Sequence, residues 1–325
     1  MKLFDLLQPE DLARVAGLQW LAGQIVEGYR SGRHRSPHKG SSVEFRQHRP
    51  YTPGDQPTSI DWKAYAKSDR LYVREFEEET NLRCVLLVDQ SGSMAYGGTR
   101  GCSGINRDSN ELRSFEPRTK FDYVAALAAA TTHLHLVQQD SVGLTMFDDG
   151  VTSYLPPGSK PSHLSDVIRV LFQNPPNPPR NETSTRDGAP RDWGETIIDA
   201  SSKIPRRSRV VILSDTMGTL ETVDRALARL RAGKHEVVLI QILDPDEVDF
   251  PFGGSTRFDD LELVHHQRTV DASAIRMAYL KRLEKHNDSL RSVCLKNRVL
   301  FQAMTTKDSI VDSFAHCIDS HRSGR

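Results

Sequence analysis

Residues 82–94 have the sequence LRCVLLVDQSGSM, an apolar run that ends abruptly in oxygen-bearing side chains. The apolar part, residues 84–88, is short, unbroken and rich in β-branched and aliphatic residues, as is typical of a strand buried on both faces of a parallel sheet. Asp89, Ser91 and Ser93 follow directly. One carboxylate and two hydroxyls can therefore converge beyond the carboxyl end of this strand, where open α/β sheets bind their ligands.

Two further polar positions lie at the edges of predicted elements. Thr196 lies near the expected start of a helix, and Asp215 ends a second buried strand that begins at Val210. Together with Asp89, Ser91 and Ser93 they make an all-oxygen set, which suits a hard cation such as Mg²⁺ and argues against zinc or a redox metal. For residues 89–93 alone, a plain polar turn is the competing interpretation, because Asp, Ser and Gly are the common turn formers.

Charge and cysteine content exclude several classes of function. Lys plus Arg and Asp plus Glu each number 43, so no net charge draws the protein to nucleic acid or to an anionic membrane. The four cysteines form no Cys-x-x-Cys pair, which favours reduced thiols in the cytoplasm. We see no signal-peptide segment and no apolar run near the roughly 18 to 20 residues that span a bilayer. We therefore expect a soluble, cytoplasmic protein without a nucleic-acid partner.

The pattern along the chain predicts three parts. Residues 1–36 hold an amphipathic helix, between Pro9 and about Tyr29, and the start of a basic linker. Residues 37–81 consist of short alternating segments, which predict a small β-rich subdomain. Residues 82–325 alternate strands with helices, which predicts an α/β fold with a doubly wound, mostly parallel sheet.

The order Asp-x-Ser-x-Ser, then a distant Thr, then a distant Asp resembles the metal-ion-dependent adhesion site of von Willebrand factor A domains. The resemblance implies that Ser91, Ser93 and Thr196 coordinate Mg²⁺, or Mn²⁺, directly. It also implies that Asp89 and Asp215 often act through water and that a partner protein supplies a carboxylate to complete the shell. The fold implied is the Rossmann-like sheet of that family.

The region before the first core strand resembles a narrower family. Residues 49–55 (RPYTPGD), 60–62 (IDW) and 74–80 (REFEEET) are similar to the bacterial family called domain of unknown function 58. Its members carry a von Willebrand A-like domain and are typically encoded beside MoxR-type AAA+ ATPases, so the resemblance implies such an ATPase as the partner. The chain departs from the family at Thr58 and Ser59, where an Arg is common shortly before IDW.

No catalytic set of residues is predicted. Ser91 lacks the flanking glycines of a hydrolase nucleophile elbow, and the chain has no phosphate-cradling P-loop. The favoured interpretation is a non-enzymatic, metal-dependent protein-binding module, an adaptor or co-chaperone of a MoxR-type ATPase in protein complex assembly or envelope maintenance. The alternative is a Mg²⁺-dependent phosphoryl-transfer or phosphatase-type enzyme with Asp89 as the nucleophile.

Residues 95–118 form a long polar excursion directly after the Ser93 motif. Loops of this length are usually functional or disordered. One hypothesis is that an acid of this segment, Asp108, Glu111 or Glu116, occupies the open metal position until a partner displaces it. The alternative is a surface insert without a role.

Overall fold

The computed structural model describes residues 17–27, 45–52, 60–68, 70–76, 82–98, 118–179 and 192–319. The chain divides into two compact units. The small unit is Arg35–Asn81, and the large unit joins Met1–His34 to Leu82–Arg325. None of the helices in these described ranges is both long and apolar enough to cross a membrane.

The small unit contains an antiparallel pair, β1 (Phe45–Pro50) and β2 (Tyr72–Phe76), and one helix, Trp62–Ser68. The expectation of short β segments across residues 37–81 is wrong for residues 62–68, which are helical, whereas Ile60 forms an isolated bridge to Val73. The reason is local. Asp61 accepts a hydrogen bond from the Ala64 N–H at 3.2 Å, and Asp is among the residues that best begin a helix.

The remaining strands belong to the large unit. They are β3 (Arg83–Asp89), β4 (Ser141–Phe147), β5 (Val151–Gly158), β6 (Arg209–Ser214), β7 (Glu236–Leu243), β8 (Ser255–Asp259), β9 (Gln267–Asp271) and β10 (Leu300–Thr305). The helices described here are residues 17–27, Lys120–Val137, His163–Gln173, Trp193–Ser201, Leu220–Ala232, Pro245–Asp249, Ala272–Lys296 and Ile310–Asp319, with a short 3₁₀ turn at Gly92–Ala95.

Six strands form the central sheet in the order β10-β7-β6-β3-β4-β5. All neighbours are parallel except β4 and β5, which are antiparallel and joined by a tight turn. Numbered along the chain, the sheet runs 6-5-4-1-2-3, the order of a doubly wound α/β fold. The α/β prediction is confirmed. The winding direction reverses between β3 and β6, so the crevice expected to bind ligands lies at the carboxyl ends of these two strands.

Two hydrophobic layers cover the two faces of the sheet because side chains alternate along each strand. Leu86 and Val88 of β3 face one layer, which includes the helices 17–27, Lys120–Val137 and His163–Gln173. Val85 and Leu87 face the other layer, built with Trp193–Ser201, Leu220–Ala232 and part of Ala272–Lys296. The predicted N-terminal helix is therefore present over residues 17–27, and the rest of its predicted length lies outside the described residues.

The hairpin of β8 and β9 is not part of the central sheet. Its two strands pair only with each other among the described strands, and most of their residues are exposed. Its turn comprises residues 260–266.

Candidate metal centre

Asp89 and Asp215 lie side by side at the point where the sheet reverses. Asp89 is the last residue of β3, and Asp215 directly follows β6, the neighbour of β3. Each residue is only 2% exposed. Parallel pairing of adjacent strands therefore brings together two carboxylates that are separated by more than a hundred residues of sequence.

The turn after β3 brings the two serine hydroxyls together. The Asp89 carboxylate accepts a hydrogen bond from the Ser91 N–H at 2.9 Å, which bends the chain into the Gly92–Ala95 turn. Ser91 Oγ and Ser93 Oγ then lie 3.1 Å apart. Met94 points into the core and is fully buried, which fixes the turn against the sheet. Two hydroxyl oxygens at this separation can bind one small cation.

Thr196 lies in the first turn and a half of the helix Trp193–Ser201. Asp192 caps this helix by accepting a hydrogen bond from the Gly194 N–H at 2.9 Å. Thr196 is completely buried, and its Oγ1 atom has no hydrogen-bond partner among the residues that the structure describes. A buried hydroxyl without a partner costs about 1–3 kcal/mol, so this oxygen is a strong candidate for a ligand that is not protein.

Ser214 connects these parts, although the sequence did not single it out. Its hydroxyl donates to the Asp89 carboxylate at 2.5 Å and accepts from Trp193 Nε1 at 2.9 Å. It also accepts from the Thr216 N–H at 2.9 Å. Ser214 thus ties the end of β3 to the end of β6 and to the start of the helix that carries Thr196.

Lys120 and Glu247 are further members of the site that sequence reasoning missed. Lys120 is fully buried, and its Nζ lies 2.9 Å from Asp215 Oδ2 and 2.8 Å from Glu247 Oε1. Burial lowers the pKa of Lys120, but the two carboxylates raise it by more, so the ammonium stays charged. Burial is also the main cause that raises the pKa of Glu247. The sequence signal that could have identified Lys120 is its place in the first turn of an apolar helix, where the helix dipole disfavours a cation.

The charges of this cluster are unbalanced. Burial, followed by the negative charge of Asp215, raises the pKa of Asp89 to about 7, although hydrogen bonds from Ser214 and Ser91 oppose the shift. Asp89, Asp215 and Glu247 supply three carboxylates against the single ammonium of Lys120, a net charge of −2 when all four are ionised. A divalent cation would neutralise this excess.

The residues present fit Mg²⁺ or Mn²⁺ on the chemistry of their donors. The hydroxyls of Ser91, Ser93 and Thr196 are neutral oxygen donors, and the nearby carboxylates supply the negative charge. Within the described ranges, no three His, Cys, Asp or Glu side chains come together as a metal cluster. The candidate site is therefore built on hydroxyls rather than on a carboxylate cage.

The turn of the β8–β9 hairpin lies against this candidate site. Glu262 Oε1 accepts a hydrogen bond from the Ser93 N–H at 2.8 Å. A Cβ atom on Gly92 would lie only 2.0 Å from the carbonyl oxygen of Leu261, so no other residue fits at position 92. Sequence reasoning missed Glu262 and looked for such a carboxylate between residues 95 and 118. Residues 99–117 of that segment, with Asp108, Glu111 and Glu116, lie outside the described residues.

The sheet order, the helices on both faces and the polar residues at the reversal point define a doubly wound α/β domain. The chain belongs to the family described as protein of unknown function DUF58, whose model matches residues 47–289. The resemblance of the sequence to the DUF58 family is thereby confirmed.

Similar proteins and similar solved structures each cover most of the chain. An uncharacterized protein of Mycobacterium tuberculosis is 26% identical over 310 residues, which are 95% of this chain and 89% of that protein. The crystal structure of the conserved hypothetical protein BatB from Bacteroides thetaiotaomicron is 12% identical, with a TM-score of 0.46, over 74% of this chain and 99% of BatB. The SpRpn10 VWA domain is 11% identical, with a TM-score of 0.36, over 72% of this chain and 94% of that domain.

Proposed function

We propose that this protein is a metal-dependent protein-binding module that holds Mg²⁺ or Mn²⁺ at the carboxyl edge of its sheet. The observation that carries the proposal is the fully buried Thr196 Oγ1, which has no hydrogen-bond partner in the described part of the chain. Its helix is bound through Trp193 and Ser214 to the carboxylate of Asp89. A cation bound there by Ser91, Ser93 and Thr196 would satisfy the orphaned oxygen.

Each residue of the site has a distinct task in this proposal. The hydroxyls of Ser91, Ser93 and Thr196 contact the ion, which as a Lewis acid accepts a carboxylate from another protein. Asp89 and Asp215 supply negative charge without closing the open position. Lys120 fixes the Asp215 side chain by its 2.9 Å contact and keeps the local charge from becoming too negative for a partner's acid. Because the direct donors are neutral, the ion stays electrophilic.

The geometry of Asp89 supports binding rather than phosphoryl transfer. One of its oxygens accepts from the Ser91 N–H and the other from the Ser214 hydroxyl, and the residue is 2% exposed. A nucleophilic carboxylate must reach the substrate phosphorus, and the burial of Asp89 together with a hydrogen bond to each of its oxygens disfavours that role.

For the partner, we propose a MoxR-type AAA+ ATPase that presents an acidic side chain, with this protein as its adaptor or co-chaperone in protein complex assembly or envelope maintenance. The family resemblance supports this assignment, because members are typically encoded beside such ATPases. Independently of the family, the chemistry of the site supports only a partner that presents a carboxylate.

A pair of isosteric substitutions tests the metal site. Thr196→Val removes the orphaned hydroxyl, whereas Thr145→Val removes another buried hydroxyl without a described partner, in the interior of β4. We expect Thr196→Val to weaken Mn²⁺ binding at least about tenfold in isothermal titration. Mutation of residues that only orient the metal ligands already lowers metal affinity by about 10- to 100-fold. Thr145→Val should bind as the wild type does. Equal affinity in all three proteins would refute the proposal.

The same variants test the partner. Cosedimentation with a purified MoxR-type ATPase from the same genome should be retained by Thr145→Val and lost both in Thr196→Val and after chelation by EDTA. Binding that is insensitive to EDTA would assign the interaction to another surface.

A further inference from the structure

We propose that Glu262 is an internal ligand of this site, whose carboxylate takes the position that a partner's carboxylate occupies in the complex. The inference rests on the proposed metal-dependent function. It adds that a carboxylate of the chain itself competes with the partner's carboxylate for the ion. Its starting point is the 2.8 Å hydrogen bond from the Ser93 N–H to Glu262 Oε1. The same residue, Ser93, provides one of the two paired hydroxyls.

The hairpin turn lies directly on the backbone of the serine motif. Besides the contact of Leu261 with Gly92, the Oε2 atom of Glu262 would lie 3.3 Å from a Cβ built on Gly92. Both carboxylate oxygens are therefore beside the turn that presents Ser91 and Ser93. In this proposal the carboxylate exchanges the Ser93 N–H for an ion held by the adjacent hydroxyl.

The backbone at the tip of the hairpin is held in position. Asp260 Oδ1 accepts hydrogen bonds from the Glu262 N–H at 2.8 Å and from the Leu263 N–H at 3.2 Å. The Asp260 N–H in turn donates to the His266 carbonyl at 2.9 Å across the turn. These bonds define where the Glu262 side chain leaves the hairpin, so its approach to Ser93 is not a chance position of a loose loop.

The base of the hairpin is anchored by aromatic rings. Phe250 packs against Phe258 of β8, with ring centres 5.9 Å apart, and against Tyr279 of the long helix at 4.6 Å. Phe252 contacts Phe258 at 5.4 Å. Beyond this base, β8 and β9 pair only with each other among the described strands and are largely exposed. A two-stranded hairpin of this kind is only marginally stable alone, so its position depends on this base and on the contacts of its tip.

A second observation supports a ligand of the proposed site rather than a structural contact alone. Thr196 Oγ1 is fully buried and has no partner among the described residues, which marks this oxygen as open to a ligand. Glu262 would add a further negative charge beside a cluster that already carries an excess of carboxylates. That arrangement is unfavourable without a cation and favourable with one.

The test uses Mn²⁺ as the ion and measures how strongly the bound ion relaxes water protons, which counts the water molecules coordinated to it. Glu262→Gln keeps an oxygen that accepts from the Ser93 N–H but removes the charge. Glu262→Ala removes the side chain altogether. Glu284→Gln makes the same charge change on the exposed surface of the long helix and is the matched control.

We expect both Glu262 variants to give a higher water-proton relaxation per bound Mn²⁺ than the wild type and Glu284→Gln, because a water replaces the carboxylate. A blocked Gly-Glu-Gly peptide, used as the carboxylate probe, should then lower this relaxation at concentrations about 5- to 150-fold smaller in Glu262→Gln than in the wild type, the usual range of coupling between sites.

Two failures are distinguishable. Equal relaxation and equal probe affinity in all four proteins, with Mn²⁺ bound, would overturn the role of Glu262 and leave the metal site intact. Absence of Mn²⁺ binding from every protein would overturn the proposed function and this inference together.

Discussion

At the scale of single residues, the site depends on charges and hydroxyls that are buried at the end of a strand. Lys120 has the most unusual environment of these residues, because an ammonium is fully buried between Asp215 and Glu247. A buried ion pair adds little net stability compared with apolar residues, but removing one partner leaves the other charges without compensation. The two carboxylates compensate the charge of this lysine, and the proposed ion would compensate the remaining negative charge.

We predict that Lys120→Met lowers the free energy of unfolding by about 3–5 kcal/mol in the absence of divalent ions, the usual cost of breaking a buried pair. Saturating Mg²⁺ should reduce this loss, because the bound ion supplies positive charge beside Asp215. Urea unfolding with and without Mg²⁺ measures both effects.

The matched control is Lys296→Met. Lys296 contacts Asp224 at 2.6 Å, but its side chain is 68% exposed, so we expect a cost within about 1 kcal/mol and no Mg²⁺ dependence. If Lys120→Met cost no more than this control, the buried pair would have no part in holding the site.

At the scale of elements, β3 is fixed at both ends by side chains from neighbouring segments. Its carboxyl end is held by Ser214, as described above. At its start, Asp140 accepts from the Leu82 N–H at 3.0 Å and contacts His135 Nδ1 at 2.9 Å. The central strand is thus tied to the end of the Lys120–Val137 helix, which carries Lys120 at its other end.

The stability of this connection depends on pH. Burial lowers the pKa of His135, but neighbouring Cys84 and the hydrogen bond to Asp140 raise it by more, to about 9 against an ordinary value of 6.5. A base whose pKa is raised by folding adds stability that is complete below pH 6.5 and is lost as the pH rises through about 9. We therefore expect the free energy of unfolding to decrease as the pH rises from 6.5 to about 9.

His135→Gln should remove this fall, as measured by urea unfolding across the same pH interval. His133 on the same helix is the control, because burial lowers its pKa, so its contribution lies below pH 6.5. His133→Gln should therefore keep the slope of the wild type. An unchanged slope in His135→Gln would show that another group causes it.

At the scale of the whole molecule, the sequence predicted what is encoded locally. The buried runs ending at Asp89 and Ser214 have the pattern of parallel strands, and the turn from Asp148 to Gly150 has the residues of a tight hairpin. The helix Trp62–Ser68 was missed because its signal, the capping by Asp61, is short and lies among aromatic residues that favour strands.

The parts of the site that could not be predicted are held by contacts between distant residues. Ser93 and Glu262 are 169 positions apart, and Lys120 and Asp215 are 95 apart. No periodicity or turn pattern relates such pairs, because only the folded sheet brings them together. The Asp-x-Ser-x-Ser motif was recognisable because five residues encode its turn, and Thr196 and Asp215 were recognisable because they lie at the edges of predicted elements, in the order that the family resemblance implies.

The most direct measurement for the central claim is a crystal structure in the presence of Mn²⁺, with anomalous scattering used to locate the ion. We predict one Mn²⁺ bonded to Ser91 Oγ, Ser93 Oγ and Thr196 Oγ1, at distances slightly longer than the roughly 2.1 Å of a Mg²⁺–oxygen bond. Anomalous density elsewhere, or none at these three hydroxyls under saturating Mn²⁺, would contradict the account.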